Sequence, residues 1–461
     1  MTPEAAGGRA RSRRPRVKAE VASQPKVPAA RAKKPAVKKP AAAVLPPIED
    51  LIAAARPKAD RPELRAEEAP EPEAPASTDP LKAHLATEDE LASWDAQAVG
   101  SPSGHVYQSR AWADYRAAHG WRTWNIVFDD GFRLLVIGSP AGSRNGGIAY
   151  ASRGPIPEAD PAISATRAAI AADLVAAEGL GALTVDSETP AAGGLGAHLA
   201  AAGFAASDEE QPSRHRMDVQ LGPDDAPNSD EKTIFGSFGA TTRNTIRQAE
   251  RHGLRVRRLD AGGGRLEEEY GASELAEFEP VEPYDQDATQ ALLQTFYEML
   301  DGSAKQRAFA LSSEDRFVDW SRQAIAAGHM VYLQAEHAED GPIAGAAFYR
   351  HGHRLTYALA GDRADERRKY PGAVPLLVWR GIQIALDERR MVVDLGGVDV
   401  QGARGKPDKG DPTYEPYQFR ESFGARWIEL TGAHRRTMRP SRRSVGRAAA
   451  SALRLLGRSP K

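Results

Sequence analysis
Residues 355–424 constrain the fold of this chain more than any other stretch. Leu355-Thr-Tyr357-Ala-Leu-Ala-Gly361 alternates as a strand does, and residues 375–386 space their apolar side chains at helical intervals. Residues 392–395 form a short apolar run suited to a buried strand, closed by Gly396-Gly397. Strand, helix and strand in that order make a βαβ unit, and such units gather their chemistry at the carboxyl ends of the strands. A site is therefore expected near Gly361 and Gly397.

With 461 residues the chain is too long for one core, and about two to three domains are expected. Cysteine is absent, which excludes disulfides, thiolate metal sites and a cysteine nucleophile. No apolar run approaches the roughly 20 residues that span a bilayer. No apolar segment follows the basic N-terminal residues, so a signal peptide is not expected. These features point to a cytoplasmic protein.

The near-neutral total charge hides an uneven distribution. Residues 1–39 are mostly Ala, Pro, Lys and Arg, with only Glu4 and Glu20 as acids. Residues 45–80 turn Pro/Glu-rich, as in Pro70-Glu-Pro-Glu-Ala-Pro75. Neither piece can bury enough apolar surface to offset its conformational entropy, so residues 1–85 read as a disordered tail. Such a tail either solubilises the protein or attracts RNA or an anionic membrane. At the other end no acid follows Glu429, and eight arginines from Arg435 onward surround Val445, Ala449, Ala452, Leu453 and Leu456. Residues 436–461 thus read as a basic amphipathic helix able to lie on an anionic membrane, or as a plain basic tail.

Between the tails, helices are expected over residues 88–98, 109–118, 162–177 and 194–202, with strands over 121–128, 132–137, 147–151, 182–186 and 215–221. A polar break at 222–229 looks like a domain boundary. One long helix over 232–252 follows, then a strand over 254–259, helices over 288–300 and 313–327, and strands over 329–336, 343–350 and 354–359. The second half repeats the element order of the first, as an internal duplication would.

Five motifs occur in order: Gln108-Ser-Arg-Ala-Trp112-Ala-Asp-Tyr-Arg116, Arg153-Gly-Pro155, Arg243-Asn-Thr-Ile-Arg247-Gln-Ala-Glu-Arg-His-Gly253, Asp394-Leu-Gly-Gly397 and Phe419-Arg420-Glu-Ser-Phe423-Gly424. Together they resemble the FemABX family of peptidoglycan interpeptide-bridge aminoacyltransferases, in its compact form without a helical arm. The resemblance implies an α/β fold of two tandem GNAT-like domains with mixed sheets flanked by helices. The domains are placed at residues 86–228, rejoined by about 425–435, and at 229–424. It also implies transfer of an amino acid from aminoacyl-tRNA to the stem-peptide amine of a precursor, lipid II or a UDP-linked muropeptide. No cofactor is implied, and the protein is expected to act as a monomer, at the inner face of the plasma membrane if the C-terminal helix binds there.

Residue by residue, the resemblance implies phosphate contact by Arg116 beside Trp112, where the family has lysine; an exposed helix arginine is the alternative. An arginine can grip a phosphate through two parallel N–H bonds, so the exchange is chemically compatible. Tyr357 matches a substrate-contacting tyrosine, or else is a core tyrosine. Phe419-Arg420 stands where the family has Phe-Lys, so Arg420 would stabilise the ester oxyanion but cannot accept a proton. The family's arginine and tyrosine four apart are replaced by Ser312 and Arg316, with Arg307 nearby as a further substrate contact. Asp394 either takes a proton from the amine or orders the Gly396-Gly397 turn. Arg243, Arg247 and Arg251 fall on one helix face, a phosphate edge for tRNA or a solvated stripe. No metal arrangement is expected, and no residue suggests itself as a general base. An acyl-CoA N-acyltransferase is disfavoured, because Lys369-Tyr-Pro-Gly372-Ala-Val374 lacks most of the pyrophosphate loop. A non-catalytic RNA- or membrane-binding protein would need neither Tyr357 nor the Asp394 turn.

Overall fold
Apolar alternation in the first half builds strands, and alanine-rich or amphipathic runs build the helices between them. The computed structural model describes residues 81–138, 147–208, 214–222, 229–260, 279–281, 286–307, 311–398 and 405–438. The expected tail up to residue 80 and the basic helix beyond 438 lie outside the described residues. The first half holds β1 (Ala83–Leu85), α1 (Glu88–Ala92), α2 (Trp94–Ala98), α3 (Arg110–Ala118), β2 (Arg122–Phe128), β3 (Arg133–Gly138), β4 (Ile148–Ala151), α4 (Pro161–Ala177), β5 (Ala182–Val185), α5 (Leu195–Ala201), β6 (Ala205–Ala206) and β7 (His215–Gln220). Then come α6 (Glu231–Ser237), α7 (Ala240–Arg251), β8 (Arg255–Leu259), β9 (Glu279–Val281), α8 (Gln286–Arg307), α9 (Glu314–Ala326), β10 (Met330–His337), β11 (Gly341–His351) and β12 (Arg354–Asp362). The chain continues with α10 (Ala373–Asp387), β13 (Val392–Asp394), α11 (Tyr414–Glu421), β14 (Arg426–Glu429) and β15 (His434–Thr437).

Among the described residues two mixed sheets form, ordered β1-β2-β3-β4-β5-β15-β6 and β14-β7-β13-β12-β11-β10-β8-β9. Each contains an antiparallel run, a helix, and a parallel strand: β4 pairs β5 in the first, β12 pairs β13 in the second. This is the GNAT-like α/β architecture.

The halves exchange strands, and here the structure departs from the expected boundaries. β7, expected in the first domain, lies between β13 and β14 in the second sheet. Only β15 returns to the first sheet, against β5 and β6; β14 does not. Alternation specifies that a strand has a buried face but not which strand it pairs. The folded region also begins earlier than expected: Ala83–Leu85, assigned above to the tail, pairs β2 antiparallel. Residues 436 and 437, likewise assigned to a tail, complete β15.

The long helix expected over 232–252 is two helices. Phe238 and Gly239 take extended conformations between them. Phe238 turns into the core against Trp379 and Phe423, and the Gly239 amide donates to Ser422 O at 2.7 Å. Burying that ring and meeting Ser422 outweighs continuing the helical ladder. Ser93 similarly divides the helix expected over 88–98 into α1 and α2.

α4 starts on a capping Asp160, whose carboxylate accepts from Ala162 N at 2.8 Å, and lays Ala165, Ala168, Ala172 and Val175 on the first sheet. α10 covers the second sheet through Leu376, Leu377, Ile382 and Ile384. A third core cluster draws on both halves, with Trp94, Trp112, Phe296, Trp320 and Tyr349 in one buried layer.

Gly381 reports how tightly α10 sits. In a helix interior, glycine to alanine normally gains about 1 kcal/mol. A Cβ at Gly381, however, would lie 2.5 Å from ring carbons of Phe348, itself fully buried. Overpacking of that kind costs about 1–3 kcal/mol. Gly381→Ala is thus expected to lower the urea midpoint of unfolding; a raised midpoint would show that the ring can move aside.

Candidate active site
The second sheet opens where β12 and β13 part. They pair from Arg354↔Val392 to Thr356↔Asp394, and Tyr357 is the first residue of β12 beyond the pairing. The chain leaves β13 through Gly396, at φ +76°, a left-handed turn that glycine adopts without strain. Asp394 Oδ1 accepts the Gly396 amide at 2.8 Å. A cavity of about 420 Å³ lies at this opening, and Tyr357, Phe419, Arg420, Ser303, Gly372 and Val374 contribute to its lining. Three residues singled out in the sequence therefore share one cavity.

α11 carries two of them. Phe419 packs on the buried Phe423 with ring centroids 5.3 Å apart. Arg420 donates from Nε to Leu395 O at 2.7 Å and from Nη1 to Pro416 O at 2.9 Å. Those two bonds fix the guanidinium at the turn after β13. The charge is felt by His215, whose pKa falls to about 4, first through burial and then through Arg420. Tyr357 rests against Phe348 with centroids 5.6 Å apart.

The start of α10 borders the same cavity and offers little to a pyrophosphate. The Gly372 and Ala373 amides turn back to Tyr370 O at 2.9 and 3.4 Å, and Pro375 has no N–H to give. A phosphate cradle needs several amides aimed outward.

A second group of expected residues lies on the other side of the shared core. Arg116, on α3, stacks its guanidinium 3.9 Å above the Trp121 ring and 5.3 Å from that of Trp112. Its Nε is buried with no hydrogen-bond partner among the described residues. Burial lowers the pKa of Arg116, and Arg316 on α9 lowers it further. Two cations are thus held within electrostatic reach, an arrangement that favours an anion between them. Arg316 is exposed, whereas Trp112 is 8% exposed and serves as the platform beneath Arg116 rather than as a contact. The Arg307 side chain lies outside the described residues.

Between these regions runs a buried charge network that sequence reading missed. Glu188 pairs with Arg354 at 2.5 Å and lies 3.7, 3.8 and 3.9 Å from Arg153, His105 and Arg216. Burial would raise the Glu188 pKa, but Arg354, His105, Arg153 and Arg216 together hold it well below the usual range. His105 is pushed down to about 3, chiefly by burial, despite Glu188. Asp186 accepts from the Tyr150 hydroxyl and from Arg153 N, each at 2.5 Å. Burial nevertheless raises Asp186 to about 7, more than Arg153 and these bonds can reverse. Tyr150 is also within electrostatic reach of Arg116. The available signal was modest: Thr184-Val185-Asp186-Ser187-Glu188 puts two acids at the end of an apolar strand.

Two expected contacts are corrected. Asp394 is 3% exposed and committed to Gly396 N, with Thr356 Oγ1 at 3.4 Å and Arg354 Nη1 at 3.9 Å. It orders the turn rather than meeting a substrate. Arg243 donates to Gly236 O at 2.9 Å and to Phe238 O, closing the C-terminal end of α6, so it is not a free phosphate edge. Arg247 is exposed, 5.2 Å from the Phe235 ring, and stays on the surface face of α7.

No family model matches the chain, and no curated protein matches it. The fold defines the class first: two tandem GNAT-like α/β units in one chain. More particularly, the chain has the fold of FemX, whose crystal structure aligns at a TM-score of 0.60 and 15% identity over 78% of this chain and 98% of that one. L-PGS from Bacillus licheniformis aligns at 0.43 and 12% identity over 80% and 97% of the two chains. A tandem GNAT protein from the clavulanic acid biosynthesis pathway aligns at 0.40 and 13% over 78% and 99%. Among the described residues no helix is long and apolar enough to cross a membrane.

Proposed function
We propose that this protein is a tRNA-dependent aminoacyltransferase that adds an amino acid to the stem-peptide amine of a peptidoglycan precursor, in the cytoplasm. The observation that carries this reading is the meeting of Tyr357, Phe419 and Arg420 in one cavity at the parting of β12 and β13. The aminoacyl ester enters that cavity, and the precursor's phosphates sit against Arg116 and Arg316. The amine nitrogen attacks the ester carbonyl; a C–N bond forms, the C–O bond to the tRNA ribose breaks, and the ribose oxygen leaves as a hydroxyl. An ester is already activated, so positioning and oxyanion stabilisation supply most of the rate. Arg420 provides the charge. Asp186, acting through Tyr150, takes up the proton that the attacking amine must lose and returns it to the departing ribose oxygen.

The test of the reaction is transfer of labelled amino acids from charged total tRNA onto lipid II and onto a UDP-linked muropeptide, with and without RNase. Label that moves to either acceptor and is lost with RNase supports the reading, and the acceptor that takes it is identified at once. Label on neither acceptor sinks it. The acyl-CoA alternative is disfavoured by the amides spent at the start of α10.

The proton assignment has its own test. Asp186 is a base only above about pH 7, so transfer is expected to rise with pH through that value. The Tyr150 hydroxyl favours the ionised carboxyl, and Tyr150→Phe therefore raises the Asp186 pKa further. With the hydroxyl gone the relay to Asp186 is broken as well, so in that variant the plateau rate should fall and the rising limb should be lost or move to higher pH. An unmoved limb would remove Asp186 from the proton path.

A further inference from the structure
Two attachments place Arg420: the helix that carries it and the turn to which it donates. Both rest on His215, a residue to which the reaction above gives no role. His215 sits on β7, the strand that the first half of the chain contributes to the second sheet. The turn that follows β13 is tied to that strand twice. The Leu395 amide donates to Met217 O at 2.8 Å, and the Val398 amide donates to His215 Nε2 at 2.9 Å. These two bonds bracket Gly396 and Gly397, where the backbone by itself has several conformations open to it. Leu395 O, the carbonyl that receives Arg420 Nε, belongs to the same bracketed turn.

The imidazole also stacks on Trp427 of β14, with centroids 3.6 Å apart and planes 14° from parallel. Trp427 in turn meets Tyr417 of α11 edge-on at 6.1 Å, one helical turn before Arg420. The column His215, Trp427 and Tyr417 therefore braces the helix, while Nε2 braces the turn. Only a neutral ring can do both. Nε2 accepts an N–H, so the ring proton is on Nδ1, and an imidazolium would set donor against donor. The side chain is 1% exposed, and burial together with the nearby Arg420 charge keeps it unprotonated at neutral pH. A ring without an acceptor nitrogen would fill similar space but leave the Val398 amide without its partner, a costly defect in a buried place.

We propose that His215 is a positioning residue for the transfer reaction: it fixes the 395–398 turn and α11 relative to each other, and so keeps the Arg420 guanidinium at the cavity. His215 takes no proton and touches no substrate. Its effect on rate rests on the aminoacyl-transfer reading; its clamp on the turn does not.

His215→Phe keeps a flat ring for Trp427 but has no acceptor, whereas His215→Gln brings an acceptor oxygen close to the place of Nε2. Transfer is followed with charged total tRNA and the acceptor that takes label in the wild type. In His215→Phe, kcat should fall about 10- to 100-fold, the scale of loss when a reacting group is displaced by about 1 Å, with KM for aminoacyl-tRNA little changed. His215→Gln should recover part of that loss. In an Arg420→Ala background His215→Phe should cost little more, since the group it positions is gone. Hydrogen exchange of the peptide covering residues 394–398, read by mass spectrometry, should be faster in His215→Phe and return toward wild type in His215→Gln. Should His215→Phe not fold, His215→Leu carries the same measurements. Unchanged exchange in the turn, a loss in KM rather than kcat, equal losses in Phe and Gln, or a full further loss on top of Arg420→Ala overturns the proposal. A wild type that moves no label sinks the transfer reading and the role in rate with it, while the exchange result still decides whether His215 clamps the turn.

Discussion

Glu188→Ala is expected to cost about 3–5 kcal/mol of folding stability, the range for stripping one partner from a buried ion cluster. The carboxylate lies among Arg354, Arg153, Arg216 and His105. Three of these carry permanent charge, and in the variant they share less compensation from Asp186, Asp218 and Asp394. The network ties β4 and β5 of the first sheet to β7 and β12 of the second, so the loss should be global rather than local. Urea unfolding of the variant and of Arg354→Ala checks this, and the double variant should cost less than the sum of the singles. A Glu188→Ala loss under about 1 kcal/mol would show that water or a side-chain shift replaces the carboxylate.

The same network predicts how stability follows pH, and its two main contributors oppose each other. His105 is held neutral, at about 3 against an ordinary value of 6.5, so its contribution is present above pH 6.5 and lost as pH falls toward 3. Asp186 is held protonated, at about 7 against 3.8, so its contribution is present below pH 3.8 and lost as pH rises to 7. Between pH 4 and 6.5 the two offset, which leaves a flatter profile than either group alone would give.

The architecture was readable because the βαβ unit at residues 355–397 has the right period in each piece, and the motif order carried the FemABX-like fold with it. Pairing partners were not readable, since alternation in β7 is equally satisfied by either sheet. Nor was the break at Phe238, where a ring finding Trp379 and Phe423 beats local helix preference. At the candidate site, Phe419 and Arg420 could be named from the motif on the short α11, and Tyr357 from its match on the strand that precedes the site. The roles of Asp394 and Arg243 could be settled only by their partners, Gly396 N in one case and the carbonyls of α6 in the other. Asp186 and Glu188 escaped notice because an acid at a strand end is ordinary until the arginines from distant positions, 153, 216 and 354, are folded around it.

Arg420→Ala is expected to lower kcat for aminoacyl transfer by about 10²–10³, the cost of losing one preorganised oxyanion donor. KM for aminoacyl-tRNA should change little, since the charge is used where the oxyanion forms rather than where the ester first binds. Arg420 also holds Leu395 O and Pro416 O, so a slack turn is the competing explanation for any loss. Arg420→Lys separates the two. A lysine restores the positive charge with different hydrogen-bond geometry, so electrostatic stabilisation predicts recovery of a large part of kcat. If positioning of the turn were the whole effect, Lys and Ala would be equally poor. A fall in KM together with kcat, or no fall in either, would take Arg420 out of the chemistry and leave it as a clasp on the β13 turn.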